Sequence, residues 1–217
     1  MKLTTAILIC VTALVVLGIP TMAVADSDRG KQLAMQGDGS GAPCSACHGP
    51  NGEGNAAGAF PVIAGLNERY LFRTMQAYQS GTRVNPVMSM NIDNFAEQDL
   101  LDLAAYYANL PSPAPAAPSA SAEQLALGEK IALQGDWDAY IPPCASCHGP
   151  NNQGVNENFP AIAGQHASYI KQQVQAWQQG QRTSDPVQLM EAIAKRLSDE
   201  QLDAVAAYLA SQPAAQQ

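Results

Sequence analysis

APCSACHGPNGEG, residues 42–54, sets two cysteines three positions apart, a histidine directly after the second, and mostly small residues around them. A second copy, PPCASCHGPNNQG, occupies residues 142–154. The match continues outward from both. FPVIAG at Phe60 answers FPAIAG at Phe159, Tyr70 answers Tyr169, and QAYQSGTR at Gln76 answers QAWQQGQR at Gln175. AAYYANL at Ala104 and AAYLASQ at Ala206 close the two halves, so one duplicated unit accounts for most of the chain.

From Pro111 the composition shifts to PSPAPAAPSASA. Proline-rich segments favour extended polyproline II, so this is a semi-rigid spacer between modules and not core. At the other end, Lys2 precedes an apolar run over residues 6–19, followed by Ala23-Val24-Ala25. That run is short for a membrane span and the alanines form an A-x-A site, which reads as a secretory signal cut after Ala25. Cys10 falls inside the leader, and Ile9 before it is not the small residue a lipidation site would carry. The expected organisation is a signal at 1–25, a first module at 26–110, a linker at 111–122 and a second module at 123–217.

Each module reads as helices joined by glycine-rich loops. Leu202, Val205, Ala206 and Leu209 share one helix face, as do Leu100, Leu103, Ala104 and Tyr107. Ser121-x-x-Gln124 and Ser198-x-x-Gln201 have the form of a capping box. Further helices are expected near 28–36, 67–79, 124–134 and 166–179, and no segment shows strand alternation. The fold class is all-α. Gly30 and Gly128 fall in the opening helices, with Tyr106 and Tyr208 in the closing ones, which suits a close crossing of two helices against a ring. Modules this small, with long Gly/Asn/Pro loops, bury little apolar surface by themselves and call for a staple or a prosthetic group.

The formal net charge is −8, and loss of Lys2 with the leader makes it one more negative. This balance disfavours nucleic acid and anionic membrane and suits a basic patch on a partner protein. Cys44, Cys47, Cys144 and Cys147 are all taken by the two motifs. Free thiols are a liability in an exported chain, so something should cap them covalently.

Cysteines at i and i+3 lie on one side of a helical turn and can reach one flat ligand, while the next residue sets an imidazole over its centre. This is the attachment pattern of haem c: two thioethers from Cys44 and Cys47, or from Cys144 and Cys147, with His48 or His148 as axial iron ligand. A thioredoxin-like redox pair would need a βαβ setting. A zinc site would have to pool ligands from two motifs that each sit in a complete repeat.

His48 is the only histidine of the first module, so its iron cannot be bis-histidine within that module. Met190 is the only methionine of the second and lies before the last helix, which makes it the sixth ligand there. His166 competes, but its repeat partner is Asn67, and it reads as a helix-start or surface residue. In the first module, PVMSMN offers Met88 and Met90. Counted from the cysteine motifs, Met190 aligns with Met90; counted from the closing AAY, it aligns with Met88. The second count governs, because the loop after Arg83 can absorb a length change while ligand and closing helix move together. The carbonyls of Pro61 and Pro160 are placed to accept from the second ring nitrogen of each histidine.

C-x-x-C-H, then F-P-x-I-A-G, then a helix with Tyr, then Met ahead of a helix carrying A-A-Y resembles the class I cytochrome c domain. Two such domains behind a signal peptide resemble the cytochrome c4 family of periplasmic dihaem electron carriers. The resemblance implies a soluble or membrane-associated carrier of single electrons, with no catalytic residues of its own, that feeds oxidases or reductases. The Pro/Ala-rich linker departs from that pattern and leaves the mutual arrangement of the modules open. A rival reading shares every motif: the haem electron-acceptor subunit of a periplasmic dehydrogenase of the sulfide, thiosulfate or alcohol type.

Overall fold

Residues 24–185 and 187–214 are described in a computed structural model of the chain. The leader run, Cys10 and Ala23 of the cleavage motif lie outside the described residues. Each module opens with a helix, α1 (Ser27–Gln36) or α6 (Ala122–Gln134), and closes with one, α5 (Glu97–Ala108) or α10 (Asp199–Ala210). Between them come a one-turn helix at the cysteine motif, α2 (Ser45–His48) or α7 (Ala145–His148), and a longer helix, α3 (Glu68–Gln79) or α8 (Ala167–Gln178). Two short helices absent from the periodicity reading, α4 (Pro86–Ile92) and α9 (Leu189–Ala194), carry the methionines. Among the described residues the only β pairing is three isolated bridges.

The helix starts follow their side chains. Asp26 accepts from the backbone of Asp28 and Arg29 to begin α1, and Asn67 accepts from Tyr70 to begin α3. Ser198 and Gln201 close a reciprocal box on α10, while Ser121 accepts from the Gln124 N–H at α6. Opening and closing helices then cross at the expected glycines. Gly30 packs against Asp102 and Tyr106, and Gly128 against Ala204 and Tyr208. Leu100 and Leu103 in one module and Ile131 and Leu202 in the other are almost wholly excluded from solvent.

The linker carries no helix or strand over residues 111–119, and it does not keep the modules apart. Ser112 lies against Gly65 of the first, and the Ala116 N–H donates to Ala210 C=O of the second. The modules themselves share a seam. The Gln165 side chain donates to Val62 C=O at 2.8 Å and accepts from Val62 N–H at 2.9 Å, a buried amide closing both ends of one backbone unit. Their mutual arrangement, open in the sequence, is fixed here by such contacts.

Candidate haem sites

The cysteine motif folds as the turn its spacing demands. Cys44 precedes α2, and its carbonyl accepts from the N–H of Cys47 at 3.3 Å and of His48 at 2.9 Å. Gly49 follows with φ of 78°, a left-handed value glycine adopts without strain, and turns the chain back so that the Gly54 N–H donates to His48 C=O at 2.7 Å. The second motif repeats this, with Gly149 at φ 80° and Gly154 donating to His148 C=O at 2.7 Å.

Both histidines are buried, His48 at 6 % and His148 at 7 % exposure. Each Nδ1 meets a proline carbonyl, Pro61 O at 3.1 Å and Pro160 O at 2.7 Å. A carbonyl only accepts, so Nδ1 carries the proton and Nε2 keeps its lone pair for a metal. Burial pushes both imidazoles below the ordinary histidine value, with the proline carbonyl acting the other way. Phe60 and Phe159 stand edge-on to these rings, with centroids 6.5 and 6.4 Å away, and help fix their planes. Burial also holds the Cys44 and Cys144 thiols up at about 11. The donor set fits haem c: paired sulfurs on one turn, and a neutral imidazole with its coordinating nitrogen free.

Cys44 and Met88 pack against one apolar cluster in the first module. In the second, Cys144 and Met190 pack against two clusters that share Leu197. Met90 is 72 % exposed. Two glutamines missed in the sequence set the register of these segments. Gln79 Nε2 donates to the carbonyls of Ile92 and Phe95, and Gln178 Nε2 to those of Ala194 and Leu197. Ile92 therefore corresponds to Ala194, which aligns Met88 with Met190. His166 does begin α8, but its Nε2 lies 3.0 Å from Glu53 O across the seam, so it is an inter-module contact more than a surface residue.

The cytochrome c family pattern matches residues 27–111 and 126–213. A cytochrome c4 of Azotobacter vinelandii is 37 % identical, over 92 % of this chain and 96 % of that protein. The chain belongs to the cytochrome c4 family. With two tandem cytochrome c domains, this dihaem cytochrome binds two haem c groups covalently and carries electrons. A thiosulfate dehydrogenase electron acceptor of Thiomonas intermedia is 45 % identical over 79 % of each chain. A solved thiosulfate dehydrogenase of Marichromatium purpuratum matches 86 % of this chain with a TM-score of 0.79 at 37 % identity. The match spans 40 % of that longer chain.

Proposed function

We propose that this dihaem cytochrome accepts electrons one at a time from an oxidoreductase of the thiosulfate dehydrogenase type and passes them to a terminal oxidase or reductase. Its thioethers are Cys44 and Cys47, and Cys144 and Cys147. The iron of one haem would be held by His48 with Met88, and that of the other by His148 with Met190. When bound, each haem supplies a one-electron ferric/ferrous couple. The protein's part is to hold Nε2 unprotonated through the proline carbonyl, to supply a methionine thioether sulfur as second ligand, and to exclude water from both. With both iron ligands supplied by the chain, no open site would be left for a substrate, which makes the chain a carrier and not a catalyst. It works in the periplasm after cleavage at Ala25; among the described residues no helix is long and apolar enough to cross a membrane.

The observation that carries the choice of donor is the 45 % identity to an electron acceptor of thiosulfate dehydrogenase. The stoichiometry agrees: joining two thiosulfate ions through a new S–S bond releases two electrons, one for each haem. Stopped-flow mixing of oxidised protein with a purified thiosulfate dehydrogenase and thiosulfate tests this. Rapid reduction of both haems is expected, and reduction no faster than without the enzyme would remove this donor.

A further inference from the structure

At one buried place in the two modules, a pair of residues changes together. Gly52 C=O accepts from the N–H of Ile63 at 2.8 Å and of Ala64 at 3.1 Å, while Asn152 C=O accepts from Ile162 and Ala163, both at 3.0 Å. Tyr107 C=O accepts from Gly65 N–H and Leu209 C=O from Gly164 N–H, both at 2.9 Å. Gly52 is therefore the equivalent of Asn152, and Tyr107 of Leu209. Positions 52 and 152 have φ of 71° and 61°, a left-handed value that glycine and asparagine take more readily than other residues. The backbone thus admits either residue, and the side-chain space decides between them. A Cβ on Gly52 would stand 3.0 Å from the Tyr107 ring and 3.1 Å from Ala64 N, so a tyrosine at 107 goes with a glycine at 52. Leucine at 209 is shorter, and an asparagine accompanies it.

The exchange moves polarity as well as volume. Tyr107 is 4 % exposed, and its Oη is buried with no hydrogen-bond partner. A buried hydroxyl left so is costly unless something arrives to receive it. Cys44 packs against the cluster that contains Tyr107. Burial pushes its thiol up to about 11, and the Tyr107 hydroxyl is among the groups acting the other way, so the two lie within each other's reach. Burial raises the Cys144 thiol to the same value, and no side-chain hydroxyl opposes it. In the second module the orphan is instead the Asn152 carboxamide, 1 % exposed, with neither Nδ2 nor Oδ1 bonded.

We propose that Tyr107 donates its hydroxyl hydrogen to the Cys44 sulfur once that sulfur is a haem thioether, and that this bond, which Leu209 cannot make to Cys144, raises the potential of the first module's haem. Attachment sets the direction of the bond. A cysteine thiol adds across a vinyl C=C: sulfur bonds to one carbon, the thiol hydrogen ends on the other, and no electrons are gained or lost. The sulfur then has no hydrogen of its own and can only accept. The phenol must be the donor. Donation draws electron density from the sulfur and from the porphyrin bonded to it, which favours ferrous iron. Tyr107 is thus a positioning residue that acts through Cys44. The exchange of Tyr107 and Gly52 for Leu209 and Asn152 confines the effect to one haem of the two.

The inference rests on Cys44 as a point of haem attachment, and the experiment separates the two. Proteolytic fragments of the mature dihaem protein are weighed first; a fragment spanning residues 44–48 without a haem mass would overturn the attachment itself. Midpoint potentials of both haems are then measured in the parent, in Tyr107→Phe, which loses one oxygen and keeps the ring, and in Asn152→Gly/Leu209→Tyr, which carries the first module's pair into the second. Tyr107→Phe is expected to lower one potential and leave the other. The transplanted pair is expected to raise the potential that Tyr107→Phe leaves in place. Resonance Raman reads the bond itself: transfer to heavy water should shift a carbon–sulfur stretching band of the parent, and Tyr107→Phe should lack that sensitivity. A tyrosine kept for packing alone would move neither. Parent-like potentials in Tyr107→Phe, an equal shift of both haems, or an isotope response that survives the loss of the hydroxyl would overturn the proposal. If the transplanted pair does not accumulate with two haems, Tyr107→Phe and its isotope response decide alone.

Discussion

A Cβ built on Gly30 would stand 2.0 Å from the carbonyl oxygen of Asp102, so α1 and α5 cross with no room for a side chain. The second module keeps the arrangement, with 2.2 Å from Gly128 to Ala204 O. In both cases the obstacle is backbone, which cannot rotate aside. Gly128→Ala must therefore push α6 off α10. A cost of about 3 kcal/mol is expected, at the upper end for overpacking. Thermal unfolding of the dihaem protein, followed by circular dichroism, should show a midpoint lowered by roughly 6 to 12 °C. An unchanged midpoint would mean that the helices part freely.

Gln165 holds Val62 by both its N–H and its C=O, and its repeat partner Leu66 can do neither. Gln165→Leu keeps the volume and strands two buried backbone groups. The expected loss is about 2 to 4 kcal/mol, concentrated at the seam. Calorimetry should then resolve two unfolding transitions in the variant and one in the parent. A single cooperative transition in the variant would show that the remaining seam contacts suffice.

The parts legible in the sequence are those with a short-range cause. The cysteine motifs, the long amphipathic helices and the Gly30 and Gly128 crossings each depend on residues a turn apart or on a repeated pattern. Helices α4 and α9 are too short for periodicity to register, at 7 and 6 residues. The seam was illegible for another reason. Gln165, Arg83 and Arg182 act on residues of the other module, and the proline-rich linker says nothing about which surfaces it lets meet. The one available signal was the arginine ending both QAYQSGTR and QAWQQGQR, a cation kept at a position where the rest of the match had begun to fade.

Met88 packs into the core of the first module while Met90 is 72 % exposed, and Gln79 fixes the segment in the register of its counterpart. Met88→Ala should abolish the weak near-infrared sulfur–iron band of one haem and lower that haem's potential, because a thioether ligand favours ferrous iron. Met90→Ala should leave both bands and both potentials in place. The reverse pattern would transfer the ligand role to Met90.

Asp102 is fully buried, and its carboxylate accepts from the backbone nitrogen of Asp26 at 2.8 Å and from Gln98 Nε2 at 2.7 Å. Arg29 Nε lies 3.2 Å from its other oxygen. Cleavage after Ala25 would turn that backbone nitrogen from a neutral amide into an α-ammonium, placing a new positive charge on a buried carboxylate. Maturation would then strengthen a contact that already anchors α1 to α5. Charge-assisted hydrogen bonds exceed neutral ones by about 1 kcal/mol. A protein beginning at Asp26 should accordingly be more stable by about that amount than one retaining Ala25 ahead of it. In the Asp102→Asn background the two forms should unfold together, since the amide offers no charge to the ammonium. Chemical denaturation of the four proteins closes the cycle. An equal effect of the extra alanine with and without the Asp102 charge would assign the difference to crowding at the N-terminus instead.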